Sequence, residues 1–230
     1  MSDTIVEIHS LKKDYQSGEI IVKALTGIDL TIQKGDFIVI LGPSGSGKTT
    51  LLNLIGGIDS STSGSIRVNS IEITNLRERS LTDYRKEDVG FIFQFYNLIP
   101  TLTAVENVEL AARLKFSKKA AYEQSMKMLE AVEMTDKARS FPSQLSGGEQ
   151  QRIAIARALV KKPKIVLADE PTGNLDTVTG EKVLHLMLQI CKNEGTTFLI
   201  VTHNVAISKL ADYIIYLKDG KVFGTSKGQF

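Results

Sequence analysis

A chain of 230 residues, 42% hydrophobic and 23% charged, suits one large α/β domain or at most two small ones. Its formal charge of +2 lacks the basic excess that draws nucleic acid, so no nucleic-acid partner is expected. Its one cysteine, Cys191, excludes an internal disulfide and suits a reducing compartment.

Met1-Ser2-Asp3-Thr4 is not a basic segment followed by an apolar one, so no secretory leader is expected. No run approaches the ~18 apolar residues of a membrane-spanning helix. A soluble, cytoplasmic chain is the expectation, with any membrane supplied by a partner.

Val6–Leu11 and Ile28–Ile32 alternate like half-buried strands, which predicts an antiparallel sheet laid against a nucleotide core. His9 reads as a strand side chain, and Tyr15, by composition alone, as a partly buried loop aromatic. Phe37-Ile38-Val39-Ile40-Leu41 is an unbroken apolar run, as in a strand buried on both faces of a parallel sheet.

Gly42-Pro43-Ser44-Gly45-Ser46-Gly47-Lys48-Thr49 follows and fits G-x-x-x-x-G-K-[ST] at every fixed position. Thr50–Ile55 reads as a helix closed by Gly56-Gly57. A strand, a glycine loop and a helix N-terminus together trap anions, because inward-facing N–H groups and the helix dipole add up. Lys48 would reach the β- and γ-phosphates of a nucleotide, and the Thr49 hydroxyl would hold Mg²⁺.

Ser65–Val68 reads as a short strand, with Asn69-Ser70 turning the chain. Val89–Phe93 is another apolar strand ending at Gln94, on the edge where open α/β sheets bind ligands. There Gln94 could coordinate Mg²⁺ or water, or simply cap the strand. From about residue 95 to 162 helical signals take over, predicting a helical lobe inserted into the α/β core. Thr103–Glu106 is a capping box, and Tyr122, Met126, Leu129 and Val132 form one expected helical face.

Leu145-Ser146-Gly147-Gly148-Glu149-Gln150 opens a second helix with an anion-ready start. Ile165–Glu170 is a buried strand ending in two acids. Asp169 would hold the Mg²⁺ water shell, and Glu170 would orient or deprotonate a water aimed at the γ-phosphate. Pro171–Asp176 is a loop, Gly180–Cys191 a helix with Cys191 buried in it, and His185 sits mid-helix without a role. Thr196–Val201 is a strand ending at Thr202-His203, which puts His203 within reach of a γ-phosphate oxygen. Tyr213–Leu217 and Lys221–Phe223 read as a closing hairpin.

In this order these motifs make the whole chain resemble an ATP-binding subunit of the ABC transporter family. Few other proteins combine Leu-Ser-Gly-Gly-Glu-Gln with a phosphate loop upstream and a strand-Asp-Glu downstream. The resemblance implies an α/β fold with a P-loop NTPase (RecA-like) parallel-sheet core, an N-terminal antiparallel β subdomain and the inserted α-helical subdomain, in one nucleotide-binding domain over residues 1–230. It implies that Tyr15 stacks on adenine, reversing the loop-aromatic reading, and that Gly42, Pro43, Ser44, Gly45, Ser46, Gly47, Lys48, Thr49 and Thr50 hold ATP. Gln94 resembles the Q-loop glutamine, Asp169 and Glu170 the Walker B pair, Asp176 the D-loop aspartate and His203 the switch histidine. Thr49, Gln94 and Asp169 are the implied Mg²⁺ ligands, and Glu170, His203 and Lys48 the implied catalytic residues.

Gln94–Pro100 and Ala168–Asp176 resemble the MacB/LolD-type branch, although that branch commonly has a glycine where Asn69-Ser70 stand. The branch implies a permease with a large extracytoplasmic domain and export of a drug, peptide or lipoprotein-type cargo, with room for a periplasmic or extracellular adaptor. The subunit would sit on the inner face of the membrane. The family also implies a head-to-tail homodimer, each ATP lying between one chain's phosphate loop and the other's Ser146, Gly147 and Gly148. Non-transport ABC proteins usually carry coiled-coil insertions or tandem nucleotide domains, which this chain lacks. A plain P-loop kinase or GTPase leaves the Leu145–Gln150 helix unexplained.

Overall fold

The computed structural model describes residues 4–228. It begins with an antiparallel hairpin of β1 (Thr4–Ser17) and β2 (Ile20–Gln33), longer than the two alternating segments predict. Register shifts at Ile8/Leu11, Leu11/Lys12 and Lys13/Asp14 break the period-two pattern while pairing continues. Tyr15 is therefore not a loop residue. It lies in β1, opposite Val22.

β3 (Phe37–Leu41) is buried along its whole length and feeds the glycine loop and α1 (Lys48–Ile55). β4 (Ser63–Val68) pairs with β1, and β5 (Ile71–Glu72) with β4. Between them Asn69 and Ser70 both take positive φ, 47° and 67°, the left-handed pair of a tight hairpin turn without glycine. Next come α2 (Glu78–Glu87) and β6 (Val89–Ile92). The sequence did not announce α2, because it is strongly polar and buries one side chain, Tyr84.

α3 (Ala104–Ala112), α4 (Lys118–Ala131) and α5 (Gly147–Leu159) make up the helical lobe between β6 and β7 (Ile165–Asp169). Thr103 N–H donates to the Glu106 carboxylate at 2.8 Å, so the predicted capping box forms. The expected face of α4 is partly wrong. Leu129 and Val132 are buried and Met126 half-buried, but Tyr122 is exposed and Ala121 and Ser125 face the core instead. The chain finishes with α6 (Thr177–Glu194), β8 (Thr197–Thr202), β9 (Tyr213–Lys218) and β10 (Lys221–Lys227).

Two sheets result. One is antiparallel, in the order β2-β1-β4-β5, and the other runs β10-β9-β3-β8-β7-β6. In the second, β9, β3, β8, β7 and β6 are parallel, with β10 antiparallel at the edge. Successive residues of β3 serve opposite faces. Phe37, Val39 and Leu41 pack with the helical lobe and α6, whereas Ile38 and Ile40 pack with α1 and the antiparallel sheet. Each such fully buried side chain contributes about 1.5–3 kcal/mol. Cys191 is completely buried as expected, and burial pushes its thiol up to about 11, which disfavours the nucleophilic thiolate. Among the described residues no helix is long and apolar enough to cross a membrane.

Candidate functional site

Parallel pairing brings the motifs to one edge. Leu41 pairs with Thr202, Asp169 with Val201, and Ile92 with Ala168. The chain therefore leaves β3, β8, β7 and β6 at nearly one level, and Gly42, His203, Glu170 and Gln94 emerge together. His203, Glu170 and Gln94 border an open cavity of about 450 Å³, lined also by Ser44, Gly45, Gly47, Lys48, Thr49, Thr50 and Asp169.

The loop is shaped for anions. Gly47, with φ 98°, caps α1 in the left-handed conformation, and a Cβ there would meet the Ala24 carbonyl oxygen at 2.6 Å. Lys48 is buried to 8% exposure, and its ammonium donates to the carbonyls of Gly42 and Pro43, each at 2.9 Å. The Thr49 hydroxyl donates to Asp169 Oδ1 at 3.2 Å.

Glu170 has a positive φ of 45°, an uncommon conformation for a residue with a side chain. Its carboxylate accepts from the Thr202 hydroxyl at 2.7 Å and from His203 N–H at 3.0 Å. The His203 ring meets the same carboxylate through Nδ1 at 2.7 Å, while the imidazole is 70% exposed. Across the cavity, the Gln94 carbonyl accepts from Asn174 Nδ2 at 2.8 Å.

Burial, reinforced by the charge of Glu170, holds the Asp169 carboxyl above its usual range, with Thr49 and Lys48 pulling the other way. The folded state thus favours the proton. Stability from this group is greatest below the unfolded carboxyl's titration near pH ~3.9 and is lost as pH rises through the raised folded value. At neutral pH the charge is a cost. Asp169→Asn should therefore raise the melting temperature of the nucleotide-free protein, and, with Asp169 an expected Mg²⁺ ligand, should lower its ATPase rate. Thermal scans at pH 7, alongside ATPase assays, check this.

Some expected residues lie outside the cavity lining. Gly42 and Pro43 supply the carbonyls that hold Lys48, and Ser46 is buried with its hydroxyl unpartnered. Tyr15 flanks the cavity: its hydroxyl donates to Asp59 Oδ2 at 2.8 Å and neighbours Thr50, while the Lys13 ammonium sits 4.8 Å from its ring centre. Ser146, Gly147, Gly148 and Asp176 are not part of it. Ser146 caps α5, accepting from Glu149 N–H at 3.3 Å, and Asp176 caps α6, accepting from Thr179 N–H at 3.0 Å.

Sequence reasoning missed Val22, Lys23 and Ala24, which line the cavity from the other sheet, and the Lys13–Asp59 ion pair at 2.7 Å beside Tyr15. No local pattern announces them, because they arrive from distant parts of the chain. Thr202 was within reach, since it precedes His203 at the end of a buried strand.

The ABC transporter family profile matches residues 25–173. This chain belongs to that family.

An ABC transporter ATP-binding protein of Methanocaldococcus jannaschii is 44% identical over 223 residues, covering 95% of each chain. The lipoprotein-releasing system ATP-binding protein LolD of Legionella pneumophila is 45% identical over 224 residues, covering 97% of this chain and 99% of LolD. The macrolide export ATP-binding/permease protein MacB of Rhodopirellula baltica is 42% identical over 95% of this chain, which spans 32% of that longer protein. A solved dimer of the Methanocaldococcus cassette in a post-hydrolysis state with ADP and Pi superposes with a TM-score of 0.90, at 42% identity, covering 98% of this chain and 100% of that one. The chain is an ATP-binding subunit of an ABC transporter and an ATPase, and it fits the MacB/LolD-type branch.

Proposed function

We propose that two copies of this ABC subunit close head to tail over two ATP molecules and drive a separate permease. The observation that carries the reading is a division of labour. One cavity collects Lys48, Thr49, Gln94, Asp169, Glu170 and His203, while the anion-ready start of α5 stands outside it. A second chain, turned by a two-fold axis, supplies Ser146, Gly147, Gly148 and Asp176 to the first chain's ATP, and receives the same in return.

Within the cavity, Lys48 and the loop N–H groups from Gly42 to Thr50 bind the phosphates, and Tyr15 stacks on adenine. Thr49, Asp169 and Gln94 offer a hydroxyl, a carboxylate and an amide, the hard oxygen donors that suit Mg²⁺. These three residues would hold the ion together with the nucleotide's phosphate oxygens. The bound ion supplies charge neutralisation at the phosphate oxygens. Glu170 takes the proton of the attacking water, and His203 and Lys48 face the charge developing on the γ-phosphoryl.

The relatives' names support export of a macrolide-like or lipoprotein-type cargo through a permease; a peptide cargo, a large extracytoplasmic permease domain and a periplasmic or extracellular adaptor belong to this reading through the resemblance to the MacB/LolD-type branch alone. The subunit then works as one nucleotide-binding domain on the cytoplasmic membrane face. The exposed Phe95 and Ile99, directly after Gln94, offer an apolar seat for the permease.

Complementation between two inactive variants tests the composite site. Lys48→Ala disables a chain's own loop, and Ser146→Arg disables what it lends. Each variant alone is expected to be inactive. In an equal mixture half the dimers are mixed, and each of these keeps one intact site, so about a quarter of the wild-type ATPase rate should return. A mixture as inactive as its components would sink the trans assignment.

A further inference from the structure

The turn carrying Gln94 is held in a conformation its sequence does not favour. Tyr96 and Asn97 both have positive φ, 59° and 51°. Consecutive left-handed residues with side chains are uncommon, and a tyrosine there is more so. One side chain from a distant helix grips both. Arg157 Nη2 donates to the Tyr96 carbonyl at 2.6 Å, and Nη1 donates to the Asn97 carbonyl. Among the described residues no carboxylate lies within ion-pair distance of Arg157, and burial pulls the guanidinium below its usual range. Its planar fork matches two carbonyls side by side.

Arg157 lies near the C-terminal end of α5, where the helix is anchored to the core sheet. Gly90 of β6 comes so close that a Cβ there would lie 2.7 Å from the Ala158 carbonyl oxygen. At the other end of α5, the Tyr96 hydroxyl fills the space beside Gly147, 2.7 Å from where a Cβ would sit. The helix that begins at Ser146 therefore holds this turn from both ends. Gln94 is two residues upstream, with its carbonyl tied to Asn174 and its amide nitrogen 3.0 Å from a Cβ position on Gly173.

We propose that Arg157 is a positioning residue for ATP hydrolysis. By holding the Tyr96 and Asn97 carbonyls it fixes where Gln94 presents its amide to the nucleotide cavity, and it makes Gln94 follow any movement of α5. Contact at Ser146–Gly148 is thereby transmitted to the same chain's own cavity. The inference rests on the reading of Gln94 as a nucleotide-site ligand.

A double-mutant cycle on the full chain tests it, with ATPase rate measured against Mg²⁺ concentration at saturating ATP. Arg157→Met should lower kcat about tenfold and raise the half-saturating Mg²⁺ several-fold. Binding of a fluorescent ATP analogue without Mg²⁺ should be unchanged. Arg157→Lys, which reaches one carbonyl, should recover part of the loss. In a Gln94→Ala background, Arg157→Met should add nothing further. Losses that multiply, or a lowered rate with unaltered Mg²⁺ dependence, overturn the proposal and leave Arg157 a structural residue. If Arg157→Met does not fold, Arg157→Lys takes its place in the cycle with the same criteria. Wild-type turnover and Mg²⁺ dependence in Gln94→Ala alone would instead remove the reading of Gln94 beneath it, and that outcome is visible separately.

Discussion

Replacing Glu170 with glutamine is expected to lower ATP turnover by about 10²–10⁴-fold, the span a positioned general base contributes. Glutamine has the same shape and keeps an oxygen for the His203 N–H, which reaches Oε1 at 3.0 Å. Its amino group can take over the contact with the Thr202 hydroxyl, now 2.7 Å from Oε2. What it loses is the capacity to take a proton. Binding of ATP should survive, because Lys48 and the glycine loop are untouched. The closed dimer should then accumulate, on the proposed cycle in which ATP closes the dimer and hydrolysis reopens it. Sizing chromatography with ATP and with ADP, beside a phosphate-release assay, reads both effects. Near-normal hydrolysis in this variant would remove Glu170 from the role of base. Lost hydrolysis without dimer accumulation would keep the base but reject the closure step.

Gly47→Ala is expected to be equally damaging by a different route. A methyl group there meets two obstacles, the Ala24 carbonyl oxygen at 2.6 Å and Leu25 Cδ2 at 2.8 Å. The oxygen is backbone and cannot swing away, and Leu25 belongs to the core between the two sheets. The backbone itself, at φ 98°, is a conformation that a residue with a Cβ rarely adopts. Left-handed strain of about 1–2 kcal/mol and overpacking of about 1–3 kcal/mol together predict a melting temperature lowered by roughly 5–15 °C. Relief requires the loop or β2 to move, and both line the cavity. ATP affinity should therefore fall about 100-fold or more, because the cradling N–H groups no longer converge. Calorimetry and nucleotide titration separate the two effects. A variant with normal affinity at normal stability would mean that loop and hairpin are not in rigid contact.

Much of this was legible from residues that are neighbours in the chain. Gly42–Thr49, Leu145–Gln150 and Ile165–Glu170 each carry their chemistry in a continuous run, because a helix start or a strand end is a local object. The buried runs of β3, β7 and β8 needed no partner to be recognised, since strands covered on both faces are apolar throughout. The hairpin was only half legible. Bulges interrupt the alternation that marks a strand, so composition alone puts Tyr15 in a loop, whereas its pairing with Val22 puts it in β1. Tyr122 misled for the converse reason. A helical stripe defined by residue type alone ran off the true buried face, which the small residues Ala121 and Ser125 share with Leu129.

The family, the order of the motifs and the chemistry each can perform are all written in the chain, because these depend on side-chain type at short spacing. Which motifs share a cavity comes from the fold. Parallel register brings β3, β6, β7 and β8 to a common edge, and with them Lys48, Gln94, Glu170 and His203. The fold also decides that Ser146–Gly148 stands apart from that cavity, and that Arg157 reaches back to Tyr96 and Asn97. Such contacts join residues some sixty positions apart through backbone carbonyls, which every residue possesses. No residue type therefore marks them in the sequence, and folding alone brings them together.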